Sequence, residues 1–237
     1  MSPLVFLPGF DGAAELRREF VDALREHHEV RAVTYPRLPL GTLDRYREHA
    51  MGHAPVDWRP ILIAESFSGL VATRWAALDP RVRALVLCGS FARNPVGFAA
   101  GLGAALPALV KRGPALLGPF ATASGDAARM RWSAALSQAM DELPAAVVAE
   151  RLRLIAGEDI GPGLAALDIP VIVVQFEDDQ VIGAAARAHL ETVCHNARVL
   201  RLPGPHFALE TRPRECAEAI GAVIRQLPDR RPDTGDP

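Results

Sequence analysis

Ser66, Asp179 and His206 occur in an order that could support nucleophilic chemistry. A serine hydroxyl is a weak nucleophile until a base takes its proton, and that base needs a third group to fix its tautomer. Ser66 lies in Ala64-Glu65-Ser66-Phe67-Ser68-Gly69, after the apolar run Pro60–Ala64 and before a helical pattern through Leu70, Val71, Trp75 and Leu78. A sharp strand-to-helix turn lifts such a hydroxyl above a sheet edge. The turn is tight enough that the positions two before and two after the nucleophile must be small. Ala64 and Ser68 satisfy this for Ser66. For Ser68 the second position would be Leu70, which would clash, so Ser66 is the better candidate. The bland alternative is a serine that only caps the helix.

Among the seven histidines, His206 is placed best as a base. It lies in Leu202-Pro203-Gly204-Pro205-His206-Phe207, just past the last strand-like run and before the last helix. His27 and His28 end a surface helix, His189 lies within one, and His195 falls at the wrong end of a strand. His49 and His53 have the i, i+4 spacing of a metal pair, but Gly52 and Pro55 argue against a helix there, and no metal site is expected. The acid belongs after Val171–Phe176, where Glu177, Asp178 and Asp179 stand in a row. The spacing from the strand and the apolar pair Val181-Ile182 favour Asp179, with Asp178 as the alternative. An acidic helix start would also account for the cluster. Acyl transfer passes through an oxyanion that two aimed backbone N–H groups can stabilise. The residue after the nucleophile, Phe67, offers one. The loop Leu7-Pro8-Gly9-Phe10-Asp11-Gly12 offers the other at Phe10, because Gly9 permits close backbone approach.

These residues need a scaffold with strand ends on one side. The chain supplies short apolar runs at Leu4–Leu7, Val30–Thr34, Pro60–Ala64, Val82–Cys88, Val171–Val174 and Ala197–Leu202. Helical patterns separate several of them, such as the stripe Leu16, Phe20, Leu24 and the segments Ala184–Val193 and Glu210–Leu227. Strand runs without polar alternation, interleaved with helices, predict an α/β fold whose mostly parallel sheet of about six strands has helices on both faces. From Asn94 to Leu167 β-branched runs vanish, and three helical stretches follow at Phe98–Val110, Asp126–Met140 and Pro144–Ala156. The expected division is a core over 1–93 and 168–227, an inserted helical cap over 94–167, and a disordered tail over 228–237.

Bulk properties narrow the function. The 237 residues carry a formal net charge of −2, which argues against nucleic-acid binding or attachment to an anionic membrane. No run reaches the roughly 18 uninterrupted apolar residues of a membrane span, and the start lacks a basic, apolar leader. Cys88, Cys194 and Cys216 are odd in number and widely spaced, which suits neither a disulfide framework nor zinc. A cytoplasmic protein without cofactor, monomeric or homodimeric, is expected.

Taken together, Pro8-Gly9-Phe10, the Glu65-Ser66-Phe67-Ser68-Gly69 elbow, Asp179-Gln180-Val181-Ile182 and Gly204-Pro205-His206 resemble the α/β-hydrolase family to about Leu227. Arg81–Cys88 resembles the strand after the elbow helix. Within the family the chain is similar to small capped esterases of the pimeloyl-carrier-protein methyl esterase type. The resemblance implies a carboxylic ester hydrolase acting on a small acyl ester, free or carrier-bound. Thioester hydrolysis, acyl transfer with the same triad, and a non-catalytic receptor on the same fold are the alternatives. The apolar residues Phe98, Leu102, Leu106, Leu109, Leu116, Leu117 and Phe120 further predict a cap that selects an apolar acyl group.

Overall fold

The computed structural model describes residues 3–95 and 127–228, with side chains described from residue 134 onward in the second stretch. Six strands form one sheet: β1 (Leu4–Leu7), β2 (Val30–Ala32), β3 (Ile61–Glu65), β4 (Ala84–Cys88), β5 (Val171–Phe176) and β6 (Arg198–Leu202). Their order is β2-β1-β3-β4-β5-β6, and every neighbouring pair is parallel. The register sets Leu7 beside Ala64, Glu65 beside Cys88, Cys88 beside Val174, and Phe176 beside Leu202. All carboxyl ends therefore open on one edge. The strand order reverses between β1 and β3, and ligands of open α/β sheets bind in the crevice at such a reversal.

Strands buried on both faces need no polar alternation, and the inner ones here have none. Odd positions of β1 (Val5, Leu7) join one core with Leu62, Ala64, Leu85, Leu87 and Val173. That face is covered by α2 (Leu43–Met51), α3 (Ser68–Leu78), α6 (Gly161–Ala165) and α7 (Ala184–Val193). Even positions (Leu4, Phe6) join Ile61, Ile63, Val86, Cys88 and Val174 in a second core under α1 (Arg18–Arg25), α8 (Ala208–Thr211) and α9 (Pro213–Arg225). Two further helices, α4 (Ala127–Glu142) and α5 (Ala145–Gly157), precede α6. Leu154 and Ile155 of α5 enter the first core, while Leu143, Val147, Val148 and Leu152 cluster against Phe10.

The structure departs from the sequence patterning in particular places. The single helix expected over Glu210–Leu227 is two, α8 and α9, divided at Arg212-Pro213. Proline lacks an N–H and bars the preceding residue from the helical region, and Arg212 accordingly has φ −137° and ψ 49°. Patterning gave no helix between β2 and β3, yet α2 lies there. Its amphipathicity is hidden by charge, with only Leu43, Tyr46 and Ala50 buried, and the Thr42 hydroxyl caps it by accepting the Arg45 N–H at 3.3 Å. β2 is shorter than its apolar run and β4 starts later. The expected helix Phe98–Val110, the seven apolar cap residues named above and the tail 229–237 lie outside the described residues.

Candidate active site

Ser66 sits between β3 and α3 with φ +49°, the one non-glycine residue among those described with positive φ. Such a conformation costs about 1–3 kcal/mol and persists only where surrounding structure imposes it. Here the Ser66 N–H donates to the Cys88 carbonyl at 2.9 Å, and the Ser90 hydroxyl donates to the Ser66 carbonyl at 2.9 Å. The turn is thus held from β4 on both sides of the residue. Ser68, the rejected alternative, is fully buried; its hydroxyl donates to the Pro8 carbonyl and accepts from Tyr35 at 2.8 Å. That hydroxyl ties the first loop to the elbow helix.

The structure brings Ser66, His206 and Asp179 together from three strand ends. His206 Nε2 lies 3.2 Å from Ser66 Oγ, and His206 Nδ1 lies 2.8 Å from Asp179 Oδ2. An Nδ1–H facing a carboxylate donates to it, which leaves Nε2 as the acceptor for the serine hydroxyl. Gly89 makes room for the ring: a Cβ there would stand 3.3 Å from His206 Nδ1, and the residue has φ +52°. The other carboxylate oxygen, Asp179 Oδ1, accepts the N–H groups of Val181 at 2.8 Å and Ile182 at 2.7 Å. These two bonds fix which oxygen faces the histidine. Asp178, its neighbour, is exposed, and its backbone N–H serves the Gly204 carbonyl at 3.0 Å.

Phe10 and Phe67 approach edge to face, ring centroids 6.4 Å apart. Phe67 directly follows Ser66, and among the described residues no backbone carbonyl accepts the N–H of Phe10 or of Phe67. His49 lies in α2, but the helix ends at Met51 and its Nε2 meets the Thr34 carbonyl at 2.9 Å. His53 has a depressed pKa through burial and through the neighbouring His49 ring. Among the described residues no group of three or more His, Cys, Asp and Glu side chains could hold a metal.

Sequence patterning passed over Arg151 on α5. Its guanidinium is fully buried, donates from Nη1 to the Phe10 carbonyl and from Nε to the Tyr46 hydroxyl at 3.1 Å. It also lies over the rings of Tyr35, Tyr46 and Phe67 at 5.5, 5.5 and 5.9 Å. Arg151 therefore grips the loop that carries Phe10. Nothing in its local sequence marks it, since α5 reads as an ordinary apolar helix and the aromatic partners are distant in the chain.

A model of the alpha/beta hydrolase family matches residues 4–219, so the chain belongs to that family. Solved structures with the same fold include a hydrolase from Pseudomonas aeruginosa PA01, with 21% identity over 94% of this chain and 89% of that one, TM-score 0.77. An enol-lactonase from Burkholderia xenovorans LB400 has 17% identity over 95% and 92%, TM-score 0.76. An esterase from Rhodococcus sp. ECU1013 has 20% identity over 96% and 91%, TM-score 0.75. No curated protein matches the chain. Hydrolase chemistry is thus the family's, and among the described residues no helix is long and apolar enough to cross a membrane.

Proposed function

We propose that the protein is a serine esterase that cleaves a carboxylic ester through an acyl-Ser66 intermediate. His206 accepts the Ser66 proton as Oγ attacks the ester carbonyl, and Asp179 holds the productive tautomer and stabilises the imidazolium. The Phe10 and Phe67 N–H groups receive the oxyanion. His206 then returns the proton to the departing alkoxide, and a water activated by the same ring releases the acid. The observation that carries this reading is the unbroken line Asp179–His206–Ser66 at 2.8 and 3.2 Å, ending on a hydroxyl set in a left-handed turn. The proposed substrate is a small ester with an apolar acyl group.

Fluorophosphonate labelling followed by peptide mass mapping tests the nucleophile. A single adduct on Ser66, lost in Ser66→Ala, is expected. An unlabelled wild-type protein would instead mark a non-catalytic receptor. A panel of matched p-nitrophenyl esters and acyl thioesters then tests the bond: the esterase reading requires higher kcat/KM on the oxygen esters, whereas preference for thioesters reassigns the leaving group.

A further inference from the structure

We propose that Arg17 is a positioning residue that locks together the three loops carrying Ser66, Phe10 and His206, an inference that rests on the esterase reading above. Arg17 closes a 3₁₀ turn (Ala14–Arg17) ahead of α1, and its side chain is 1% exposed. Nε and Nη2 donate in a fork to the two Glu65 oxygens at 2.7 and 2.8 Å. Nη1 donates to both Asp11 oxygens at 2.7 Å, with the Ala13 carbonyl at 3.4 Å. Nη2 also lies 2.8 Å from Glu210 Oε1, an ion-pair contact without hydrogen-bond geometry. Nε, Nη1 and Nη2 thus each donate to a buried carboxylate, and Nη2 also stands at ion-pair distance from a third acid.

The partners are adjacent to the proposed catalytic groups in the chain. Glu65 directly precedes Ser66 and also accepts the Gly9 N–H at 3.2 Å, fixing the backbone just before Phe10. Asp11 directly follows Phe10 and accepts the Ala13 N–H at 2.8 Å. Glu210 lies in α8, four residues past His206. One planar cation therefore sets the spacing of nucleophile, oxyanion donor and base. A guanidinium fork fixes angle as well as distance, which an ammonium cannot do.

Electrostatics argue that this arrangement serves more than stability. Three buried acidic side chains face one cation, and an apolar filler of the same volume often holds a core as well. Burial pushes the Glu210 carboxyl well above the usual range; Arg17 opposes this, while Glu65 and Asp11 push further up. Glu65 also places a carboxylate one residue from the site where an oxyanion would develop. The Arg17 charge cancels it there.

The test compares Arg17→Lys and Arg17→Met with wild type and with Arg18→Ala, whose side chain is 82% exposed on the same segment. Folding is checked by circular dichroism, and rates are taken well below each melting temperature on a p-nitrophenyl ester. In both Arg17 variants kcat should fall at least about tenfold with KM little changed, because donors displaced by fractions of an ångström lose transition-state contacts. Inhibition by a trifluoromethyl ketone, which forms a tetrahedral oxyanion on serine, should weaken by a similar factor. Arg18→Ala should match wild type. Folded Arg17 variants with kcat within twofold of wild type would overturn the proposal, as would full rescue by lysine. If neither Arg17 variant folds, Asp11→Asn decides the matter: a loss of kcat without change in KM supports the clamp, and wild-type kcat refutes it. Failure of wild type to label with fluorophosphonate would sink the esterase reading itself, a separate result.

Discussion

Asp179→Asn is the substitution whose outcome the geometry fixes most tightly. Oδ1 of Asp179 receives two backbone N–H groups, from Val181 and Ile182, and Oδ2 faces His206 Nδ1 at 2.8 Å. An asparagine keeps its carbonyl oxygen on the two loop donors, since the reverse orientation would point an amide NH₂ at them. Its NH₂ must then face His206 and donate to Nδ1. The ring proton moves to Nε2, where it blocks acceptance of the Ser66 proton. Loss of both tautomer and imidazolium support lowers kcat by about 10³–10⁴-fold, or about 4–5.5 kcal/mol of barrier. The loop bonds survive, so the fold should too. The assay is kcat/KM on a p-nitrophenyl ester, with folding followed by circular dichroism and Asp178→Asn as the matched control. Asp178 is exposed, and its variant should behave as wild type. An Asp179→Asn enzyme within tenfold of wild type, or an equal loss in Asp178→Asn, would refute the reasoning.

Arg151→Met removes contacts to the Phe10 carbonyl, the Tyr46 hydroxyl and three aromatic faces; it should lower stability by about 2–3 kcal/mol, and a urea midpoint unchanged from wild type would contradict this. Gly69→Ala should destabilise by about 1–3 kcal/mol through overpacking, because a Cβ there overlaps the Ser90 hydroxyl and stands 2.9 Å from Ser90 Cβ; calorimetry reads the shift, and Ser90→Gly in the same chain should recover only part of it, because it relieves the clash but removes the bond to the Ser66 carbonyl. Burial pushes the Cys194 and Cys216 thiols up to about 11 and about 12, and raises Cys88 as well. All three should resist Ellman's reagent in the native protein and react once it is unfolded; rapid native reaction of any one would show that its burial is wrong.

Much of the fold was legible because it follows from local requirements. A parallel strand buried on both faces must be apolar throughout, and β1, β3, β4 and β5 announce themselves in that way. The elbow was legible because a left-handed turn between strand and helix tolerates only small neighbours, and Ala64 and Ser68 flank Ser66. His206 could be chosen by its position after the last strand. The order of these elements along the chain already implies that their loops share one edge of the sheet.

Other features were decided only by tertiary contacts. The sequence favoured Asp179 over Asp178 by spacing, but the ring that Asp179 faces at 2.8 Å, His206, lies 27 residues away and is brought there only by the fold. The stripe Leu16, Phe20, Leu24 placed the wrong residue inside at its start. The 3₁₀ turn before α1 rotates Leu16 partly outward and sends Arg17 into the core. Glu65 was the available hint, for a carboxylate ending a buried strand needs a buried cation. Which arginine answers it depends on segments 48 residues apart meeting beneath the elbow. Sequence periodicity reports which face of an element is apolar. It carries no record of which charges from distant segments will neutralise one another once those faces close.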